Sequence, residues 1–361
     1  MHVLNKQEAL EFVSRQSAIL DSSSNPVNPF ASSEWIQHFI DQVADDDWRI
    51  LALQGGGNGG SLMLAYHDAA TPWRCLALTN YYASLYSPLA SIASSGEERA
   101  DAMRSIVQEL CTRQPRVATI QFAPLDAQSP DTLALLDELR RQGWYAKQYF
   151  AFGNWTLLCE GLGYEAYIAA RDSQVRNTLT RKSKKLLASG HLEILCEPAD
   201  VERGMDAWDA IYGRSWKQRE PYPDFVRGWA RRCAQRGWLR LGIASLEGKP
   251  IAAQFWFTID RRAYIFKLAY DEEYSKWSAG TVLTARMFQH ALDTDRVVEI
   301  DYLTGDDPYK SAWMTHRRER IGLLACNLRS PRGVWSAARE MAATASAPLR
   351  HRGRGEAVPR A

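Results

Sequence analysis

The sequence predicts an α/β protein made of two copies of one layout, each a mixed, mostly antiparallel sheet flanked by helices. Three observations carry that prediction. One order of elements (helices, a three-strand meander, then strand–helix–strand) occurs in residues 1–160 and again in residues 161–340. The helical stretches keep their apolar residues to one face, as Ile168, Val175, Leu179 and Leu186 do. Finally, 361 residues are more than one compact core usually encloses.

In the first copy, residues 6–20 and 34–43 read as helices, and 48–53, 61–67 and 73–78 as the strands of the meander. The first two strands are joined by QGGGNGG, too rich in glycine for regular structure. A helix over 97–113, a buried strand over 117–122, a helix over 132–142 and an extended run over 144–158 complete it. The boundary falls near 160–163. In the second copy, 164–189 is helical and 192–196 a strand, with further helices over 201–217 and 224–236. The meander spans 239–245, 251–259 and 263–270, turning at Glu247-Gly248-Lys249 and Asp260-Arg261-Arg262. A strand–helix–strand unit follows, then a last strand over 320–328. From Met341 to Ala361 the chain is rich in Ala, Pro and Arg and is expected to be a disordered basic tail.

Composition narrows the classes. Apolar residues make up 46% and charged residues 24%, as in soluble globular proteins, and the net charge of +2 gives no case for DNA or an acidic membrane surface. The six cysteines stand far apart, without a CxxC pair or a neighbouring His cluster. That spacing argues against zinc and a disulfide framework and favours the reducing cytoplasm. Residues 1–20 are charged and amphipathic, unlike a signal peptide or a membrane span.

The chemistry is densest in residues 262–313. The turn Lys276-Trp277-Ser278-Ala279-Gly280-Thr281 opens a helix, with Ser278 placed to cap it and Gly280 small enough to let a ligand approach the backbone. Free amides and the helix dipole at such a start favour an anion, although an ordinary capped helix has the same pattern. The following strand carries Asp301 toward the same end, with Tyr309 at the tip of the loop beyond. Asp301 is a candidate base, since burial would raise its pKa; the alternative is a carboxylate that caps the next turn or pairs with Lys310. Arg176, Lys182 and Lys185 belong to a basic helix able to grip an anionic substrate, or simply a solvated face. Trp216, Tyr222 and Phe225 in SWKQREPYPDF offer a stacking platform for a sugar, with Glu220 for its hydroxyls, unless that stretch is a plain interhelix loop. Gln254 lies on a meander strand, and His290 and His316 on expected helices without metal-spaced partners.

The runs KLAYDEEYSKWSAG and VEIDYLTGDDPYKSAW resemble the GNAT-type acyltransferases. With RNTLTRKSKKL at 176–186 and GKPIAAQFWF at 248–257, the likeness is to the branch with FemAB-like tandem domains associated with cellulose and exopolysaccharide biosynthesis. It covers residues 165–328 well; the first half is matched by NPFASSEW at 28–35 and by element order. The resemblance implies an acyl-CoA cosubstrate, acetyl-CoA in the simplest case, with no tightly bound cofactor and no metal. Backbone groups of 264–270, Leu268 and Tyr270 among them, would take the pantetheine arm. Amides of Trp277, Ser278, Ala279, Gly280 and Thr281 would hold the diphosphate, and Tyr309 would protonate the leaving thiolate. The commoner GNAT phosphate loop has a Gln or Arg and two spaced glycines, whereas here Gly280 stands alone, so another carrier is possible. The acceptor implied is an amine or hydroxyl of a sugar or cell-envelope precursor, with polysaccharide-synthesis machinery as a partner. Two other readings are an aminoacyl-tRNA donor, as in FemAB-type relatives with a long helical tRNA arm, and an inactive scaffold. The first copy, lacking a DDPYK-like tail, would supply a cleft wall.

Overall fold

The computed structural model describes residues 1–22, 28–56, 60–92, 95–113 and 116–352. The middle of the QGGGNGG turn and residues 353–361 lie outside them. The first half runs β1 (His2–Leu4), α1 (Lys6–Arg15), α2 (Ser17–Ser22), α3 (Ser33–Val43), β2 (Trp48–Gly55), β3 (Ser61–Asp68), β4 (Arg74–Ala77), β5 (Ala90–Ser91), α4 (Gly96–Thr112), β6 (Thr119–Asp126), α5 (Pro130–Arg141) and β7 (Trp144–Leu158). The second runs α6 (Tyr164–Ala169), α7 (Ser173–Leu187), β8 (Gly190–Leu195), α8 (Val201–Tyr212), α9 (Pro223–Gln235), β9 (Leu239–Leu246), β10 (Lys249–Ile259), β11 (Arg262–Tyr270), α10 (Ala279–Gln289), β12 (Glu299–Asp301), α11 (Pro308–Ser311), β13 (His316–Asn327) and α12 (Pro331–Arg352).

The two halves repeat one wiring. Strands β2–β4 and β9–β11 are antiparallel meanders, and each meets a parallel neighbour, β6 beside β4 and β12 beside β11. The last strands are then exchanged. β7, from the first half, pairs with β12, while β13, from the second, lies between β6 and β7. All the described strands thereby join one sheet, in the order β1-β2-β3-β4-β6-β13-β7-β12-β11-β10-β9-β8, with β5 on β3. Both hairpins of the second meander turn through two left-handed residues, Glu247 and Gly248, then Asp260 and Arg261. That geometry matches the strand twist.

Several expectations need correction. The helix over 6–20 breaks into α1 and α2, and that over 164–189 into α6 and α7. His316 begins β13 rather than lying on a helix. The expected tail is helical as far as Arg352, continuing α12.

Helix α3 of the first half packs on the second. Trp35 of α3, 2% exposed, stands edge-on to Phe30, Trp229 and Phe225, with ring centroids 4.8, 4.9 and 5.3 Å away. The NPFASSEW segment supplies the caps: Asn28 accepts from the Phe30 amide and Ser32 from the Trp35 amide. Beside them His38 is buried, its Nε2 bonded to the Phe225 carbonyl oxygen at 2.8 Å. Burial, with Arg232 nearby, lowers its pKa to about 4 despite that hydrogen bond. An unfolded histidine titrates near 6.5. The unfolded chain therefore binds the proton first, and stability that is full above pH 6.5 drains as the pH falls toward 4. We expect a loss of about 3 kcal/mol across that window, read from urea midpoints. In His38→Gln, which cannot ionise, the slope should flatten; an unchanged slope would discount His38.

Candidate active site

β11 and β12 pair over three residues only, ending at Tyr264 and Asp301. Beyond them β11 continues to Tyr270, bonded on its other side to β10. The chain after β12 turns away: the Tyr302 amide donates to the Trp155 carbonyl, and Leu303, at φ 54°, donates to Asp301 Oδ1 at 2.7 Å. Two parallel strands thus splay, and the wedge between 265–268 and 302–310 is a cavity of about 220 Å³. Backbone groups along that edge of β11 lack a strand partner, so an extended ligand could pair with them.

Tyr309, in the first turn of α11, lines the wedge with its ring edge-on to Tyr302 at 5.8 Å. Partial burial (the residue is 49% exposed) and the Asp307 carboxylate push its pKa up to about 12, against a hydrogen bond with Tyr302. It therefore keeps its proton at neutral pH, the form a general acid needs. Lys310, 4% exposed, donates to the carbonyls of Thr304 (2.6 Å) and Gly305 (3.2 Å) and pairs with Asp307 at 3.2 Å. From β11, Lys267 pairs with Glu220 at 2.6 Å. Glu220 also accepts from the Tyr82 and Tyr212 hydroxyls, both at 2.8 Å. Burial alone would raise the Glu220 pKa, but Lys267 and those hydroxyls outweigh it and hold the carboxylate ionised.

A second cavity, about 180 Å³, lies where β11 ends and α10 begins, lined by Ile251, Tyr270, Tyr274 and Ser278–Thr281. The first intrahelical bond runs from the Val282 amide to Ser278 O, leaving the amides of Ala279, Gly280 and Thr281 without helical partners. Ser278 occupies the cap position in a left-handed conformation, φ 52°, and its hydroxyl makes no capping bond, contrary to expectation. A Cβ added at Gly280 would meet only Tyr270 Cδ1, at 3.5 Å.

The expected substrate residues scatter. Lys182 donates to the Lys276 carbonyl at 2.6 Å, and the Lys185 ammonium sits 4.3 Å from the Trp277 ring centroid. Both steady the segment before α10, while Arg176 is exposed on α7. The stacking platform does not form. Trp216 packs on Tyr270 at 4.4 Å, Tyr222 receives the Tyr82 hydroxyl on its carbonyl, and Phe225 is in the core, stacked on Tyr82. Gln254, 2% exposed, faces α10 rather than the cleft and donates to Gly280 O (3.1 Å) and Thr284 Oγ1 (2.6 Å). The Asp301 pKa is raised by burial, against Arg320, as anticipated. Its carboxylate, however, caps Leu303, accepts from Asn154 and lines a small separate cavity with Arg262, Glu299 and Arg320. Asp301 and Tyr309 do not share a pocket.

Lys217, Lys267, Tyr302, Tyr81 and Tyr82 also line the wedge, and the sequence reading missed them. Lys267 had a signal, a lone charge inside the apolar strand RAYIFKLAY. Tyr81 and Tyr82 had none, being far away in the first half. Among the described residues no group of His, Cys, Asp and Glu could hold a metal ion, and no helix is long and apolar enough to cross a membrane. All six cysteines are free.

Residues 173–311, which run from the start of α7 to the end of α11 and include both the start of α10 and Tyr309, match a family model described as an acetyltransferase (GNAT) domain. Of solved structures, FemX superposes with a TM-score of 0.60 at 10% identity, over 90% of this chain and 96% of its own. A conserved protein of unknown function from Bacteroides thetaiotaomicron gives 0.60 at 10%, over 90% and 100%. The C-terminal domain of a putative lysylphosphatidylglycerol synthetase from Agrobacterium fabrum gives 0.54 at 12%, over 93% and 96%. No curated protein matches the sequence. The molecule thus shares the mixed α/β fold of FemX, and residues 173–311 are similar to an acetyltransferase (GNAT) domain.

Proposed function

We propose that the protein is a cytoplasmic acyltransferase that moves an acyl group, acetyl in the simplest case, from coenzyme A to an amine or hydroxyl of a sugar or exopolysaccharide precursor. The observation that carries this reading is the wedge between β11 and β12, which has Tyr309 on one wall and the free amides of Ala279–Thr281 beyond the end of β11. The diphosphate sits on those amides, the pantetheine runs along β11 past Tyr270 and Leu268, and the thioester reaches the wedge. The acceptor nucleophile attacks the carbonyl, the new C–N or C–O bond forms and the C–S bond breaks; Tyr309 gives its proton to the departing thiolate, and the proton shed by the nucleophile restores the Tyr309 hydroxyl. A positioned acid of this kind contributes about 10²–10⁴-fold. Asp301 has no part in the scheme, because its carboxylate is committed to the turn. Residues 1–160 act as a wall, through Tyr81 and Tyr82, and residues 161–340 perform the transfer.

Isothermal titration with acetyl-CoA tests the proposal; no heat up to millimolar concentration would sink it. Gly280→Asp makes the test specific. A carboxylate in the first turn suits the helix dipole, so the melting temperature should hold, yet it repels a diphosphate from the same amides. We expect acetyl-CoA affinity to fall at least about tenfold, corresponding to about 1.4 kcal/mol.

The fold shared with FemX keeps aminoacyl-tRNA in view as an alternative donor. Between Lys217 and Leu239, however, α9 is the single helix, with no room for a long helical arm. Retardation of bulk tRNA in a gel-shift would favour that donor over coenzyme A.

A further inference from the structure

Three ammonium groups line the wedge, and two have their own carboxylates. Lys267 is met by Glu220 at 2.6 Å and Lys310 by Asp307 at 3.2 Å. The third, Lys217, follows Trp216 on the segment between α8 and α9. Its ammonium lies over the Trp216 ring, 5.7 Å from the centroid, and among the described residues it neither hydrogen-bonds to nor pairs with a carboxylate. One positive charge is therefore left uncompensated in a half-buried cleft beside Tyr309. Such a charge is costly until an anion meets it.

We propose that Lys217 recognises a single acidic group, carboxylate or phosphate, carried by the acyl acceptor. The inference rests on the acyltransferase reading and narrows its substrate class. The donor's own phosphates do not account for the charge, because the amides of Ala279–Thr281 line the second cavity and Lys217 lines the first. Trp216, next to Lys217 in the chain, packs on Tyr270 of the second cavity. At about 220 Å³ the wedge is smaller than the roughly 300–1,000 Å³ of pockets that enclose whole drug-sized ligands. It suits one acidic unit with its nucleophile, with any longer chain left outside. The same surroundings bear on the ammonium itself: burial first, and then the charges of Lys267 and Lys310, lower its pKa to about 8, with Glu220 and Asp307 opposing. An acidic ligand would raise it again.

The first test needs no turnover. The full-length protein is labelled at pH 8 with trace acetic anhydride and read peptide by peptide by mass spectrometry. Lys217 should react ahead of Lys267 and Lys310. Inorganic phosphate or acetate should protect it several-fold where chloride at equal ionic strength does not, and the better protector identifies the acidic group. Labelling that ignores both anions overturns the proposal. The second test offers acetyl-CoA with paired acceptors, glucosamine against glucosamine 6-phosphate and an amino acid against its amide. The acidic member should show a KM about tenfold lower or better, a preference that Lys217→Met abolishes and Lys217→Arg retains. Equal use of both members by the wild type overturns the proposal. If acetyl-CoA fails to bind at all, the acyltransferase reading falls instead, and the labelling result still decides whether Lys217 marks an anion site.

Discussion

Replacing Tyr309 with phenylalanine is expected to lower kcat about 10²-fold or more while changing acetyl-CoA affinity by less than about twofold. The substitution keeps the ring against Tyr302 and removes only the hydroxyl. On the proposed mechanism, what is lost is a proton delivered to sulfur as the C–S bond breaks, an interaction that exists in the transition state and not in the ground state. The pH profile sharpens the test. With its pKa raised to about 12, Tyr309 stays protonated from pH 6 to pH 9, so the loss should be uniform over that range. Thiol release followed by a chromogenic disulfide measures both quantities. Turnover equal to wild type removes Tyr309 from the mechanism.

Trp35→Ala should cost about 3–5 kcal/mol, the range for deleting a large buried aromatic side chain. Trp35 belongs to the first half of the chain, yet its ring is gripped by Phe225 and Trp229 of α9 and by Phe266 of β11, all from the second. The cavity left behind would open where the two halves meet, on the strand that forms one wall of the wedge. Urea unfolding gives the number, and Trp216→Ala serves as the contrast. Trp216 is 48% exposed and should cost little stability. A loss under about 1 kcal/mol for Trp35→Ala would show that the halves do not depend on this contact.

Much of the architecture was legible from periodicity and turn chemistry. The meander of β9–β11 follows from apolar runs punctuated by Glu247-Gly248 and Asp260-Arg261, which turn in the structure as expected. The helix start at Gly280 was also local, because the turn, its free amides and a small residue all lie within six positions. The sugar platform failed for the opposite reason. Trp216, Tyr222 and Phe225 are neighbours in sequence, but Trp216 turns to Tyr270 while Tyr222 and the core residue Phe225 both meet Tyr82. Gln254, in the middle of β10, and Asp301, at the end of β12, had plausible residue types for a site. Only their hydrogen bonds, to Gly280 and Thr284 and to Leu303 and Asn154, reveal that they brace the site.

By itself the sequence determined the repeated layout, most element types and the helix start at Gly280, since propensity, turn geometry and hydrophobic period act over a few residues. Tertiary structure decided the exchange of β7 and β13 between halves, the splay that makes the wedge, and the meeting of Tyr82 with Glu220 and Lys267. Those depend on which distant surfaces bury one another, and no short stretch of residues encodes that choice.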